Sequence, residues 1–85
     1  MKIFLSSKAD RQLKKLPSQM YQVLISRIEY LGVNPFLPGS KKLAGREGWR
    51  IRVGDYRILY TVDKKKKELT VLSVAHRKEV YGWLT

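Results

Sequence analysis

The fold of this chain is decided by the stretch WRIRVGDYRILY, residues 49–60. Apolar and basic side chains alternate along residues 49–53, so Arg50 and Arg52 share one face of a predicted strand. The Gly-Asp dipeptide that follows predicts a tight turn, although it reverses the favoured Asp-Gly order. Residues 56–62 predict the next strand. The stretch therefore predicts a β-hairpin with one apolar face and one basic face.

Two helices are predicted upstream of this hairpin. Ser7 and Asp10 fit a capping box at the start of the first helix. Pro17 ends that helix, and Ser18 is the predicted N-cap of the second. Gly32 is the predicted C-cap of the second helix. Its apolar stripe at helical spacing comprises Met20, Val23, Leu24, Ile28 and Leu31. The tight link predicts that the two helices pack as an antiparallel hairpin.

Four other segments complete the predicted chain. Residues 2–5 are an apolar strand candidate, and residues 34–48 form a long loop that Leu43 is expected to hold against the core. Residues 69–75 are apolar on both faces, as in a central strand. Residues 76–84 predict one or two helical turns at the end.

The predicted architecture is one α+β domain spanning residues 1–85. It has an N-terminal strand, a helical hairpin packed on one face of a small, mainly antiparallel sheet, and a short C-terminal helix. The sequence holds no cysteine and a single histidine, so we expect no metal site and no cofactor. We expect no membrane association, because no apolar run of about 18 residues exists. A cytoplasmic location is the default expectation.

The charge points to an anionic partner. Eighteen Lys and Arg residues oppose seven Asp and Glu, which gives a net charge of +11, and the isoelectric point is about 10.2. Repulsion of this size destabilises a small domain, and its usual counterparts are nucleic acid, an anionic membrane or an acidic protein. The alternative is a protein that is lysine-rich only for solubility.

The arginines are the strongest candidates for a site. Arg50, Arg52 and Arg57 are expected on one sheet face, with Arg77 at the end of the central strand. Like charges that face each other on a sheet cost stability, whereas a bridging phosphate suits guanidinium forks. The alternative is that each arginine pairs with a surface carboxylate. Further candidates for contacts to RNA are the basic residues of the long loop, namely Lys41, Lys42 and Arg46.

Three kinds of side chain near the arginines have two interpretations each. Tyr81 and His76 flank Arg77 and are candidates for acid–base chemistry, but a lone histidine is more often structural. Aromatic rings beside arginines suit base stacking, but core packing is favoured for Trp49, Tyr56 and Tyr60. The lysine run 64–67 is best interpreted as a solvated hairpin tip, and its alternative role is nonspecific attraction to phosphate.

Two motifs together carry a family resemblance. WRIRVGDYRILY, residues 49–60, followed by VAHRKEVY, residues 74–81, resembles the RelE/ParE superfamily of bacterial and archaeal toxins. The LKKLP link at residues 13–17 and the order of elements resemble it too. The resemblance implies a compact α+β toxin of a type II toxin–antitoxin system, bound by a wrapping antitoxin. We expect that RelB-like partner to be acidic.

RelE-like members cleave mRNA on the ribosome, so the resemblance implies a metal-independent endoribonuclease that inhibits translation. By motif match, Arg57 takes the position of the central arginine of the family, and Arg77 and Tyr81 match its C-terminal arginine and tyrosine. Arg50 and Arg52 fall where members carry basic pairs. The base and acid for attack by the RNA 2′-OH are expected to be Tyr81 or His76. The alternatives are a ParE-like inhibitor of DNA gyrase and a non-catalytic RNA-binding module.

Overall fold

A computed structural model describes residues 1–76, which form two helices and five strands. The helices are α1 (Ser7–Lys14) and α2 (Ser18–Val33), and the strands are β1 (Lys2–Leu5), β2 (Lys41–Lys42), β3 (Trp49–Val53), β4 (Tyr56–Asp63) and β5 (Glu68–His76). The sheet order is β1-β5-β4-β3-β2, with β1 parallel to β5 and the other neighbours antiparallel. The predicted α+β layout is confirmed. Neither helix of this part of the chain is long and apolar enough to cross a bilayer.

The β3–β4 hairpin has the predicted boundaries at its turn. Gly54 has a φ of 60°, whereas Asp55 does not have a positive φ. A positive φ at only the first central position is the pattern of a type II′ turn, which accepts Gly there and matches the twist of the strands. The turn places Val53 opposite Tyr56 and Arg52 opposite Arg57. The reversed Gly-Asp order therefore suits this hairpin.

The ends of α1, α2 and β5 differ from their predicted positions. Ser6, and not Ser7, is the N-cap of α1, and its Oγ accepts a hydrogen bond from the backbone N–H of Ala9 at 3.0 Å. The Ser6 hydroxyl also donates to the Leu72 carbonyl, which ties the helix start to β5. Pro17, and not Ser18, is the N-cap of α2. His76 pairs with Tyr56 as the last residue of β5, so the predicted C-terminal helix does not begin there. The remainder of that predicted helix lies outside the described residues.

The core lies between the helices and one sheet face. Most of the predicted stripe of α2 packs there: Leu24, Ile28 and Leu31 are buried, and Met20 is partly buried against them. Val23 is predicted in the stripe but is 50% exposed. The buried face of α2 is centred on Leu24 and Ile28, and Ile25 packs at its margin in place of Val23.

Gly32 does not end α2, which continues to Val33. It is buried where β1 passes the helix, and a Cβ at this position would lie 2.6 Å from Cδ1 of Ile3. The N-terminal ammonium group of Met1 also donates to the Gly32 carbonyl at 2.8 Å. The glycine therefore permits close packing of helix and strand, which is a different role from the predicted C-cap.

Gly32→Val is expected to destabilise the protein by about 1–3 kcal/mol, because the added branches overpack the contact with Ile3. The measurement is the free energy of unfolding in urea. Val33→Ala is the neighbouring control, because Val33 is 83% exposed and surface changes of this kind usually stay within about 0.5 kcal/mol. Equal stability of Gly32→Val and wild type would contradict the close packing.

Tyr60 fastens the long loop to the sheet. Its ring is fully buried, as core packing predicted, and its hydroxyl donates to the Pro35 carbonyl at 2.6 Å. Leu43 is buried as expected, and it anchors the same loop further along. Burial raises the pKa of the Tyr60 phenol above its ordinary value near 10.

Tyr60→Phe is expected to cost about 0.5–1.5 kcal/mol near neutral pH through the lost hydrogen bond. The raised pKa means that the unfolded state loses this proton first as the pH rises. The contribution of the phenol is therefore complete below about pH 10 and is lost as the pH rises through the folded-state pKa. Unfolding free energies of both proteins from pH 8 to 11 should converge at the alkaline end. A constant difference between them would contradict this assignment.

Candidate nucleic-acid interface

The two faces of the sheet differ in chemistry. One face packs against the helices through Ile51, Val53 and Ile58. Residues that pair directly across neighbouring strands point to the same face. Arg52 pairs with Arg57, Arg50 with Leu59, and Lys41 with Arg50. These four basic side chains therefore share the face opposite the helices, which we call the arginine face.

The four basic side chains surround one depression of about 260 Å³ on this face. Its lining consists of Gly39, Lys41, Arg50, Ile51, Arg52 and Arg57. Lys41 and Arg52 are exposed, and Arg50 and Arg57 are half-buried. No carboxylate is in this lining. We call this site the arginine depression.

Ion pairing within residues 1–76 does not neutralise Arg50 or Arg52. A salt bridge of this region joins Lys14 and Asp10 on α1, at 3.0 Å, and involves neither arginine. Arg52 and Arg57 face each other directly across the hairpin, an arrangement that costs stability between like charges. A bound phosphate relieves this cost, and the planar guanidinium fork can donate to two of its oxygens at once. The geometry therefore fits an anionic ligand with oxygen acceptors.

The loop candidates are distributed over different surfaces. Lys41 lies in the arginine depression, as just described. Lys42 pairs with Trp49 and points to the opposite side of the sheet. Arg46 lines a neighbouring depression with Leu59 and Ser73, so it lies on the arginine face but outside the arginine depression. The structure thus brings one of the three predicted loop residues into the depression.

His76 is on the other side of the sheet from the arginines. It pairs with Tyr56, and the two rings meet edge to face with centroids 5.5 Å apart. Gln12 of α1 and Leu16, which follows α1, line the same hollow, so the imidazole lies on the helix-covered face. The structure does not bring His76 to Arg57. Arg77 and Tyr81 lie outside the described residues, and their roles stay predictions.

The roles of two side chains, Gln12 and Phe36, were not predicted from the sequence. Gln12 caps the exposed edge of β5, since its Oε1 accepts from the Val74 amide at 2.7 Å and from the Ser73 hydroxyl at 3.2 Å. Nothing in the local helix pattern indicates this role. Phe36 packs edge to face against Trp49, with ring centroids 4.9 Å apart. Its one sequence signal is that it is the single aromatic residue in the loop 34–48.

Comparison with protein families gives one match along almost the whole chain. Residues 3–81 match the family described as ParE toxin of type II toxin–antitoxin system, parDE. Among curated proteins, no sequence matches this chain significantly.

Solved structures share the fold. The RelBE2 toxin–antitoxin complex from Mycobacterium tuberculosis matches with a TM-score of 0.80 and 28% identity, covering 89% of this chain and 96% of that chain. The RelB–RelE antitoxin–toxin complex from Methanococcus jannaschii matches at 0.75 and 26%, covering 96% and 99%. The isolated Escherichia coli RelE toxin matches at 0.77 and 25%, covering 96% and 92%.

Proposed function

We propose that this chain, which belongs to the ParE toxin family of type II toxin–antitoxin systems, inhibits translation as a metal-independent endoribonuclease that cuts mRNA on the ribosome. The observation that carries the proposal is the arginine depression. It presents Arg50, Arg52 and Arg57 together, and its lining contains no carboxylate. The likeness to RelB–RelE structures at 25–28% identity supports the RelE-like branch.

The chemistry requires little from the protein besides charge and proton transfer. The RNA 2′-oxygen attacks the adjacent phosphorus while the bond from phosphorus to the 5′-oxygen breaks. A base takes the proton of the 2′-hydroxyl, and an acid gives a proton to the leaving 5′-oxygen. The products are a 2′,3′-cyclic phosphate and a 5′-hydroxyl. In this proposal Arg57 holds the scissile phosphate and the negative charge that develops on it.

In this proposal, the C-terminal segment carries out proton transfer. A guanidinium is a poor base, because its pKa lies above about 12. Arg77 would add a second donor to the phosphate, and Tyr81 would serve as base or acid, since nearby cations favour the ionised form of a phenol. His76 faces α1, on the side of the sheet opposite the arginine depression. This placement favours Tyr81 over His76 for contact with the same phosphate.

The ribosome completes the site in this proposal. The ribosome holds the mRNA with the 2′-oxygen in line with the leaving 5′-oxygen. This lowers the entropic cost of reaching the reactive geometry. The net charge of +11 attracts the toxin to ribosomal and messenger RNA in the cytoplasm. The partner that silences it is proposed to be an acidic RelB-like antitoxin, because two of the matched structures are complexes with RelB.

The second candidate is inhibition of DNA gyrase, and the family description favours it by naming ParE. The test is induction of the toxin without its partner, followed by primer extension on translated mRNA. Cuts within codons are the expected result. DNA damage with intact mRNA would overturn the nuclease proposal and support gyrase as the target. Binding to RNA with neither outcome would indicate a non-catalytic module.

Association with the antitoxin should depend strongly on salt. Opposite charges steer the encounter, so raising the salt from 50 to 500 mM is expected to lower the association rate roughly tenfold or more. A double variant, Arg50→Ala with Arg52→Ala, should show a weaker salt dependence. Stopped-flow mixing with the product of the adjacent reading frame measures both. Rates that are independent of salt would contradict electrostatic steering.

A further inference from the structure

A second groove lies where β3 begins and β4 ends, and the arginine depression does not include it. It has a volume of about 260 Å³. Phe36 and Trp49 form its aromatic side, and Lys42 and Lys64 contribute its basic groups. Glu47 is the carboxylate in its lining. We call it the aromatic groove.

The aromatic side of this groove is held by ring and backbone contacts but left open. Phe36 packs its ring against Trp49, with the ring planes inclined by 61°. Its backbone N–H donates to Oδ1 of Asn34 at 3.2 Å, and the preceding Pro35 carbonyl accepts from Tyr60. The Phe36 ring nevertheless remains 38% exposed. A fixed, exposed aromatic ring is preorganised for stacking, because binding costs it little conformational freedom.

The basic groups of the groove lie close to its aromatic side. The Lys64 ammonium lies 5.3 Å from the centroid of the Phe36 ring. This exposed cation–π contact is weak, and the lysine stem is flexible. A base that stacks on Phe36 can displace the ammonium toward its own phosphate. Lys42 forms no ion pair within residues 1–76, so its charge is available to a second phosphate.

We infer that the aromatic groove binds single-stranded RNA, with one base stacked on Phe36 and the flanking phosphates held by Lys42 and Lys64. Stacking on aromatic rings beside basic side chains is the usual way that proteins hold unpaired bases. This inference rests on the proposed function, since both surfaces would contact the RNA substrate or the ribosomal RNA around it.

The two sites are connected around one edge of the sheet. Strand β2 consists of only two residues: Lys41 is paired with Arg50 and Lys42 with Trp49. Neighbouring residues of a strand point to opposite faces, so the two lysines direct their charges to the two sites. A single-stranded RNA that leaves the arginine depression can therefore pass over β2 and enter the aromatic groove while it stays on basic surface.

Affinity for an uncleavable oligonucleotide tests the inference. The probe is a fluorescent ten-nucleotide RNA in which every 2′-hydroxyl is methylated, and the readout is anisotropy with the whole chain. Phe36→Leu keeps an apolar side chain but removes the aromatic plane. We expect it to weaken binding roughly tenfold to a hundredfold. Phe36→Tyr should bind within about twofold of wild type.

Matched controls separate stacking from general effects. Phe4→Leu removes an aromatic ring that is 46% exposed on β1, at the other edge of the sheet, and should leave affinity unchanged. Lys64→Ala should lower the slope of log affinity against log salt by about 0.7, whereas Lys15→Ala on the surface near α1 should change it less. Thermal unfolding confirms that each variant is folded.

The outcomes distinguish this inference from the proposed function. Equal affinities of Phe36→Leu, Phe4→Leu and wild type would overturn the aromatic groove as an RNA site, even if the protein cuts mRNA. Loss of antitoxin binding by Phe36→Leu without loss of RNA affinity would also overturn it, in favour of a protein interface. A folded wild type that binds the oligonucleotide through Phe36 but leaves mRNA intact would sustain the groove and defeat the nuclease proposal.

Discussion

Arg57→Ala is expected to lower the rate of mRNA cleavage on ribosomes by about 10²–10³, the usual cost of removing one donor to a developing negative charge. The protein should remain folded. Arg57 projects from β4 onto the arginine face opposite Arg52, so its loss relieves repulsion between like charges. The measurement is cleavage of a defined mRNA by purified toxin and programmed ribosomes, with thermal unfolding recorded in parallel.

The control for charge is Arg27→Ala. Arg27 is exposed on α2, which packs on the opposite face of the sheet, so this variant loses the same charge away from the depression. It should retain a cleavage rate within a few-fold of wild type. Full activity in Arg57→Ala, or an equal loss in both variants, would show that the arginine depression is not the catalytic surface.

Ile58→Ala, one residue further along β4, is expected to lower the free energy of unfolding, in contrast to Arg57→Ala. Ile58 is fully buried on the helix-covered face, within the main core cluster. Truncation of such a side chain costs about 2–5 kcal/mol. A domain of this length has roughly 4–13 kcal/mol of total stability, so the variant should lose a large fraction of its stability.

Ile58→Val provides the graded control and should cost only about 0.5–1.5 kcal/mol. Urea unfolding measures both variants. The adjacent positions 57 and 58 should thus differ, since substitution of Arg57 lowers activity with stability unchanged and substitution of Ile58 lowers stability. An Ile58→Ala protein as stable as wild type would contradict the position of the core.

Much of the fold follows from local patterns. The β3–β4 hairpin was predicted correctly because the period of a strand is two, so alternating residues assign the faces without knowledge of the rest of the chain. Leu24, Ile28 and Leu31 were predicted to be buried because a helix repeats every 3.6 residues. The helix ends were less accurate: Ser6, which caps α1 through Ala9, is also tied by its hydroxyl to the Leu72 carbonyl of β5, far along the chain.

The position of His76 shows what a local pattern leaves open. Leu69 and Val71 point to the core, and simple alternation would place His76 on the arginine face. The register between β4 and β5 shifts between Leu59 and Tyr60, which leaves Leu72 as an extra residue in β5. One extra residue moves every later side chain to the other face, so His76 faces α1 instead.

By itself, the sequence determined the basic hairpin, the two helices and the placement of Arg50, Arg52 and Arg57 together, because each depends on residues close in the chain. It did not predict β2, which forms within the expected loop 34–48 by pairing with β3. Only the tertiary structure decided that Gly32 makes room for Ile3, that His76 lies away from the arginines, and that Phe36 meets Trp49. These contacts join segments that are separate in sequence. Their geometry depends on packing, which no single segment encodes.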